Sequence, residues 1–300
     1  MILALVANFL IAVAKSVAAI ITASASMLAE AAHSWADAGN EVLLLIAHRR
    51  SSRKPDASHP FGYGRDAYIW SMFAAFGLFA LGAGVSITHG IQELIEPEPS
   101  SNFTVAYAVL GISFVLEAVS FRQAVKQLRE EARRVDRTLL EHAMRTSDPT
   151  VRAVFAEDAA ALAGLVIAFA GVLLHQVTGA PAPDAIGSIA VGLLLGVIAV
   201  ILIERNRRFL LGEEASAEVR EAALSTLLAL PSIDRVTYLR IEFVGPSQTV
   251  VIANLDLAGD QPESLVSHTL RRLERDVQEN NPRVVKAIFT LAAPEEQSLR

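Results

Sequence analysis

Six apolar stretches, at 2–22, 27–47, 69–91, 103–121, 153–175 and 185–203, constrain this chain more than any other feature. Each is long enough to cross roughly 30 Å of hydrocarbon. In that medium a backbone must satisfy its own hydrogen bonds, so the stretches read as helices. Apolar residues make up 52% of the 300 and charged ones 19%, and the mean hydropathy is +0.40. A chain this greasy is not a pair of soluble domains. It has no cysteine, which excludes a disulfide scaffold, thiolate chemistry and Cys-based metal sites. The net charge of −6 is weak and evenly spread, which excludes a nucleic-acid partner. The first stretch lacks a basic leader and stays apolar past the length of a signal core, so it is not read as a cleavable signal. Lys15 within it either snorkels or faces the bundle interior.

Basic residues occupy alternate connections. Arg49, Arg50, Arg53, Lys54 and Arg65 lie between spans two and three, Arg122 to Arg145 between four and five, and Arg205, Arg207 and Arg208 after span six. The other connections carry only acidic residues, among them Glu93, Glu96 and Asp184. By the positive-inside rule both termini are expected in the cytoplasm.

Past residue 208 the pattern changes. Ser216 to Ala229 reads as an amphipathic helix with Ser216 as its N-cap. Val236–Phe243 and Thr249–Leu257 read as strands around a Gly245-Pro246 turn, Pro262–Glu279 as a helix and Val284–Leu291 as a strand. The expected fold is an α-helical integral membrane protein: six transmembrane helices over 1–208, then a small cytoplasmic α+β domain over 209–300, αββαβ and ferredoxin-like.

An ionisable residue inside a span points to function. His33 and Asp37 in span two stand four apart, on one helical face, where an imidazole and a carboxylate can share a divalent cation or simply hydrogen-bond. Glu157 and Asp158 are adjacent in span five and point about 100° apart, so one of them faces span two. Glu117 in span four is a further candidate, with an interhelical hydrogen bond as its structural alternative. Asp184 is expected to cap the N-terminus of span six, and His89 and His175 to be ordinary interfacial residues.

Leu28-Ala-Glu-Ala-Ala-His33-Ser34-Trp-Ala-Asp37, His59-Pro60-Phe61-Gly62-Tyr63-Gly64-Arg65 and Asp184-Ala-Ile-Gly187-Ser188, with the C-terminal αββαβ pattern, together resemble the cation diffusion facilitators. These are divalent-metal/proton antiporters, and the resemblance covers nearly the whole chain. The Asn40-Glu41-Val-Leu-Leu-Leu and Glu157-Asp158-Ala-Ala-Ala runs resemble the branch that includes the mitochondrial zinc transporter of animals and bacterial relatives.

The resemblance implies a transport site with two ligands from span two and two from span five, spaced four apart in each. His33 and Asp37 match the first pair and Asp158 the last position. Val154 stands where the fourth ligand would be, so Glu157, a water or a bidentate Asp158 is expected to complete the site. Glu157 and Glu117 are also candidates for a proton relay. Asp56 and His59 match two ligands of a loop site, expected to be weak because Tyr63 stands in place of a third His. Asn254, Thr290 and Ala292 occupy the family's cytoplasmic ligand positions, so no metal cluster is expected there.

The implied activity is proton-coupled efflux of Zn²⁺ by a homodimer in the inner membrane of a bacterium. Mn²⁺, Fe²⁺ and Co²⁺ are alternative substrates. The chain is expected to have no prosthetic group and no enzymatic activity. Two other readings stand beside it. One is a metal-binding relative that senses or partners without transporting. The other is a di-iron carboxylate enzyme, suggested by Glu30-x-x-His33, although no second copy of that element exists in the sequence.

Overall fold

The computed structural model describes residues 2–97, 102–134 and 137–299. They form two compact units, one of residues 1–49 with 67–207 and one of 50–66 with 208–300.

The first unit is helical: α1 (Ile2–Thr22), α2 (Ala25–Ser51), α3 (Asp66–Gly77), α4 (Val85–Ile95), α5 (Phe103–Arg134), the short α6 (Leu139–Arg145), α7 (Pro149–Thr178) and α8 (Ala182–Leu210). A π-helical segment, Leu78–Gly84, joins α3 and α4 into one rod. Helices therefore occupy all six expected stretches. Four of them, Asp66–Ile95, Phe103–Arg133, Pro149–Thr178 and Ala182–Leu210, are long and apolar enough to cross a membrane, and Asn8–Thr22 is a shorter apolar helix. α2 is long but less apolar, because Glu30, His33, Asp37 and Glu41 lie along it. Several helices overrun the apolar windows. α7 starts at Pro149 because Asp148 caps it, accepting from Thr150 N at 2.9 Å and Val151 N at 3.3 Å, and proline fits the first helical turn.

Small side chains fill the bundle core. Ala18, Ala106 and Ala168 surround Met27 and Leu165, and Ala29, Ala36, Ala160 and Ala199 surround Leu78, Val191 and Leu195. Alanine at these positions lets helix backbones approach closely, which is how membrane helices gain contact without a hydrophobic drive between them. The outward side is apolar: Leu10, Ile20, Phe73, Val115, Val166 and Leu193 are each more than half exposed, as lipid-facing positions are.

Asp184 does not cap its own helix, as the sequence suggested. α8 begins at Ala182, two residues earlier, so the Asp184 carboxylate is free to reach α2. It accepts there from Ala25 N at 3.1 Å and Ser26 N at 3.2 Å, and Ser26 Oγ returns a bond to the Asp184 carbonyl at 2.8 Å. A carboxylate on the bare amides of a helix N-terminus is favourable in both hydrogen bonding and charge. His175, near the C-terminal end of α7, packs beside the same carboxylate. It is buried, with Nδ1 3.9 Å from Asp184 Oδ2 and its ring edge against Phe103.

The second unit contains α9 (Ala217–Leu228), β1 (Ile233–Gly245), β2 (Gln248–Leu257), α10 (Glu263–Asn280) and β3 (Val284–Leu291), the expected αββαβ order. The sheet runs β1-β2-β3. β1 and β2 form an antiparallel hairpin, and β2 and β3 are parallel through the α10 crossover. The α10 stripe Val266, Leu270, Leu273 and Val277, at helical spacing, packs on Leu255 and Phe289 of the inner sheet face. Segment 50–66 docks on β1. Arg65 donates to Glu242 Oε1 at 2.6 Å, and a Cβ at Gly64 would stand 2.6 Å from the Val244 carbonyl, so only glycine permits that approach.

Candidate metal-transport site

α2 carries a line of polar groups on its inward side: Ser26, Glu30, His33, Asp37 and Asn40. The spacing of three or four residues stacks them one turn apart. His33 is 1% exposed, and its Nε2 lies 3.5 Å from Asp37 Oδ2. Neither ring nitrogen of His33 has a hydrogen-bond partner, nor does Asp37 Oδ1. Buried polar atoms are almost always paired, so three bare ones on adjacent turns are an exception that needs a cause.

α7 faces this line. Glu157 is buried, and its Oε2 accepts from Asn40 Nδ2. Its other oxygen, Oε1, has no partner, and the same holds for Asn40 Oδ1. Asn40 sits one turn beyond Asp37, about 4.5 Å along the helix axis, so Glu157 is brought to the same stretch of the α2–α7 seam. Asp158 turns the other way: its Oδ2 accepts from Ser120 Oγ of α5 at 3.0 Å. Glu117, half-buried, lies one turn before Ser120 on that helix. The structure thus gathers His33 and Asp37, sets Glu157 one turn away through Asn40, and holds Asp158 on α5. Among the described residues no three His, Asp or Glu side chains stand close enough to hold one ion.

At one end of the line, Glu41 accepts from Asn8 at 3.1 Å. At the other, Lys15 of α1 donates to Glu30 Oε2 at 2.9 Å, both side chains fully buried. Of the two alternatives for Lys15, the interior one holds. Sequence reasoning missed two members of this site, Asn40 and the Lys15–Glu30 pair. The pair had a signal: opposite charges in successive membrane segments are strongly favoured to meet. Asn40 had none, because a neutral amide in a span carries no charge to balance.

In the loop, His59 Nδ1 lies 3.6 Å from Asp56 Oδ1. The Asp56 carboxylate is already saturated. Oδ1 accepts from Ser58 N at 3.0 Å, Ser58 Oγ at 2.7 Å and His59 N at 2.9 Å, and Oδ2 accepts from the Tyr63 hydroxyl at 2.6 Å. The Tyr63 hydroxyl, then Ser58, hold the Asp56 carboxyl well below the usual carboxylate range. Tyr63 also stacks on His59 with ring centroids 4.0 Å apart, and the Arg53 guanidinium lies 4.4 Å from the centroid of the Tyr63 ring. Tyr63, standing where a third histidine would be, thus bonds Asp56 itself. In the second unit, Thr290 Oγ1 bonds Asn254 Oδ1 at 2.6 Å, at two of the replaced ligand positions.

Residues 1–211 match the family model described as the cation efflux transmembrane domain. Metal tolerance protein C4 of Arabidopsis thaliana is 37% identical over 83% of this chain and 54% of its own length. The mitochondrial proton-coupled zinc antiporter SLC30A9 of Mus musculus is 35% identical over 82% of this chain and 43% of its own. The zinc transporter ZitB of Pectobacterium atrosepticum is 26% identical over 78% of this chain and 68% of its own. The chain spans about half the length of the first two relatives. With its apolar helices and this match over more than two thirds of its length, the chain is a multi-pass membrane protein that belongs to the cation efflux, or cation diffusion facilitator, family.

Proposed function

We propose that the chain moves Zn²⁺, or a similar divalent transition-metal ion, out of the cytoplasm in exchange for protons. The observation that carries this reading is the set of bare buried atoms on the α2–α7 seam: both His33 nitrogens, Asp37 Oδ1 and Glu157 Oε1. An imidazole with carboxylates suits Zn²⁺ in a four-coordinate site. In this reading His33 and Asp37 supply the first ligands, Glu157 closes on them from one turn away, and Asp158 joins when it exchanges Ser120 for the ion. Alternating access follows from helix rocking about that seam. Proton coupling follows from competition, since each ligand must be deprotonated to bind the metal. In this reading Glu117, one turn from the Ser120 that binds Asp158, takes up a proton as Asp158 moves.

In this reading residues 1–208 transport and residues 209–300 form the cytoplasmic dimerisation domain, with both termini inside and the protein in a bacterial inner membrane. The Asp56–His59 loop acts at most as an ion feeder. A second reading, metal binding without transport, draws on Asp158 being held away from His33 and Asp37. Uptake into inverted proteoliposomes decides between them, over a panel of divalent ions with and without a pH gradient. Transport predicts Zn²⁺ uptake that grows with the gradient. Metal bound without uptake selects the second reading.

A further inference from the structure

The mechanism above uses neither Lys15 nor Glu30, yet their ion pair is among the most deeply buried polar features of the bundle. Taking two charges out of water is expensive, and a buried pair is often no more stabilising than an apolar replacement. The pair therefore calls for a role beyond holding α1 to α2.

Its surroundings suggest one. Glu30 and His33 stand three apart on α2, one turn from each other on the same face as Asp37. Lys15 engages only Oε2 of Glu30; Oε1 is buried and bare. That oxygen lies against Gly164 of α7, where a Cβ would come within 2.7 Å of it. Glycine there leaves Glu30 room on the seam. His33, with both nitrogens bare, is thus flanked along α2 by two carboxylates, Glu30 three residues before it and Asp37 four residues after. A divalent ion has two ways to chelate this imidazole. Only one of them is already filled by a cation, and that cation is the Lys15 ammonium.

We propose that Lys15 is a resident cation that keeps Glu30 out of the metal's coordination sphere and confines the ion to the Asp37 side of His33. This rests on the reading of His33 and Asp37 as transport ligands. The benefit is kinetic: a transported ion must leave, and a second His–carboxylate position on the Glu30 side would retain it off the transport path.

The test is isothermal titration of the purified full chain with Zn²⁺, alongside flux in proteoliposomes. Lys15→Met frees Glu30 and is expected to tighten Zn²⁺ binding by roughly tenfold or more, the scale on which partners around a metal site act, while slowing flux. Lys15→Gln, which keeps a hydrogen bond to Glu30 without the charge, is expected to shift both in the same direction by less. The Lys15→Met/Glu30→Gln pair is expected to restore wild-type affinity, because Glu30 is no ligand in the native protein. Unchanged affinity in folded Lys15→Met and Lys15→Gln overturns the proposal. So does weakened binding in the double variant, and so does a result in which both single variants unfold while the double variant does not, which makes the pair a clamp only. If the wild-type chain binds no Zn²⁺, or binds it equally well as Asp37→Ala, the reading of the transport site fails instead.

Discussion

Replacing Asn40 by alanine isolates the contact that carries Glu157 to the seam. Asn40 is buried and its amide is the donor to Glu157 Oε2; the other carboxylate oxygen is bare. Without Asn40, Glu157 has no hydrogen-bond donor in a low-dielectric setting. A hydrogen bond to a charged group contributes about 1.5–3 kcal/mol. Converted to an equilibrium constant, that is roughly ten- to hundredfold. Burial of the pair means little solvent screening reduces it. If Asn40 orients Glu157 as a ligand, Asn40→Ala weakens Zn²⁺ binding by that factor, and Glu157→Gln weakens it at least as much. Titration calorimetry on purified protein reads the affinity, and size-exclusion chromatography confirms that the variant is folded. Wild-type affinity in a folded Asn40→Ala refutes the role given to this contact.

Three further outcomes are expected. Asp184→Ala leaves the α2 amides of Ala25 and Ser26 without their acceptor and costs about 1–2 kcal/mol, seen as a lower unfolding temperature; an unchanged transition argues that the cap contributes nothing. Asp56→Ala with His59→Ala lowers the transport rate modestly, and complete loss of flux with the fold intact reverses the ranking of loop and seam. Asp56 has a folded-state pKa below its unfolded value, so its contribution is full at neutral pH and is lost only as pH falls below about 3.9 toward the lower folded value. Amide exchange in 53–65, corrected for intrinsic rate, is therefore the same at pH 5 and pH 7, and a loss of protection by pH 5 contradicts the network.

The architecture was legible because two strong periodic signals dominate the chain. The apolar windows located the helices, and the turn at Gly245-Pro246 separated two strands whose alternation matches the observed hairpin. Helix ends were less legible. α5 runs on to Arg134 and α7 begins at Pro149, because helices continue past the hydrocarbon edge while hydropathy does not. Within the site, His33 and Asp37 were readable from spacing along one helix. The partners of Glu157, Asp158 and Asp184 were not, since each lies on a different helix and depends on how the helices are rotated. Asp184 is the clearest case: local pattern pointed to its own helix, and tertiary packing gave it to α2.

If a divalent ion crosses through the α2–α7 seam, zinc flux in proteoliposomes depends on both Asp37 and Asp158, which Asp37→Ala and Asp158→Ala remove one at a time. Each variant removes one of the few anionic donors, and a lost partner is strongly felt in a low-dielectric site. Both variants are expected to remain folded while Zn²⁺ flux falls to the level of empty liposomes. Wild-type flux in either variant contradicts that route.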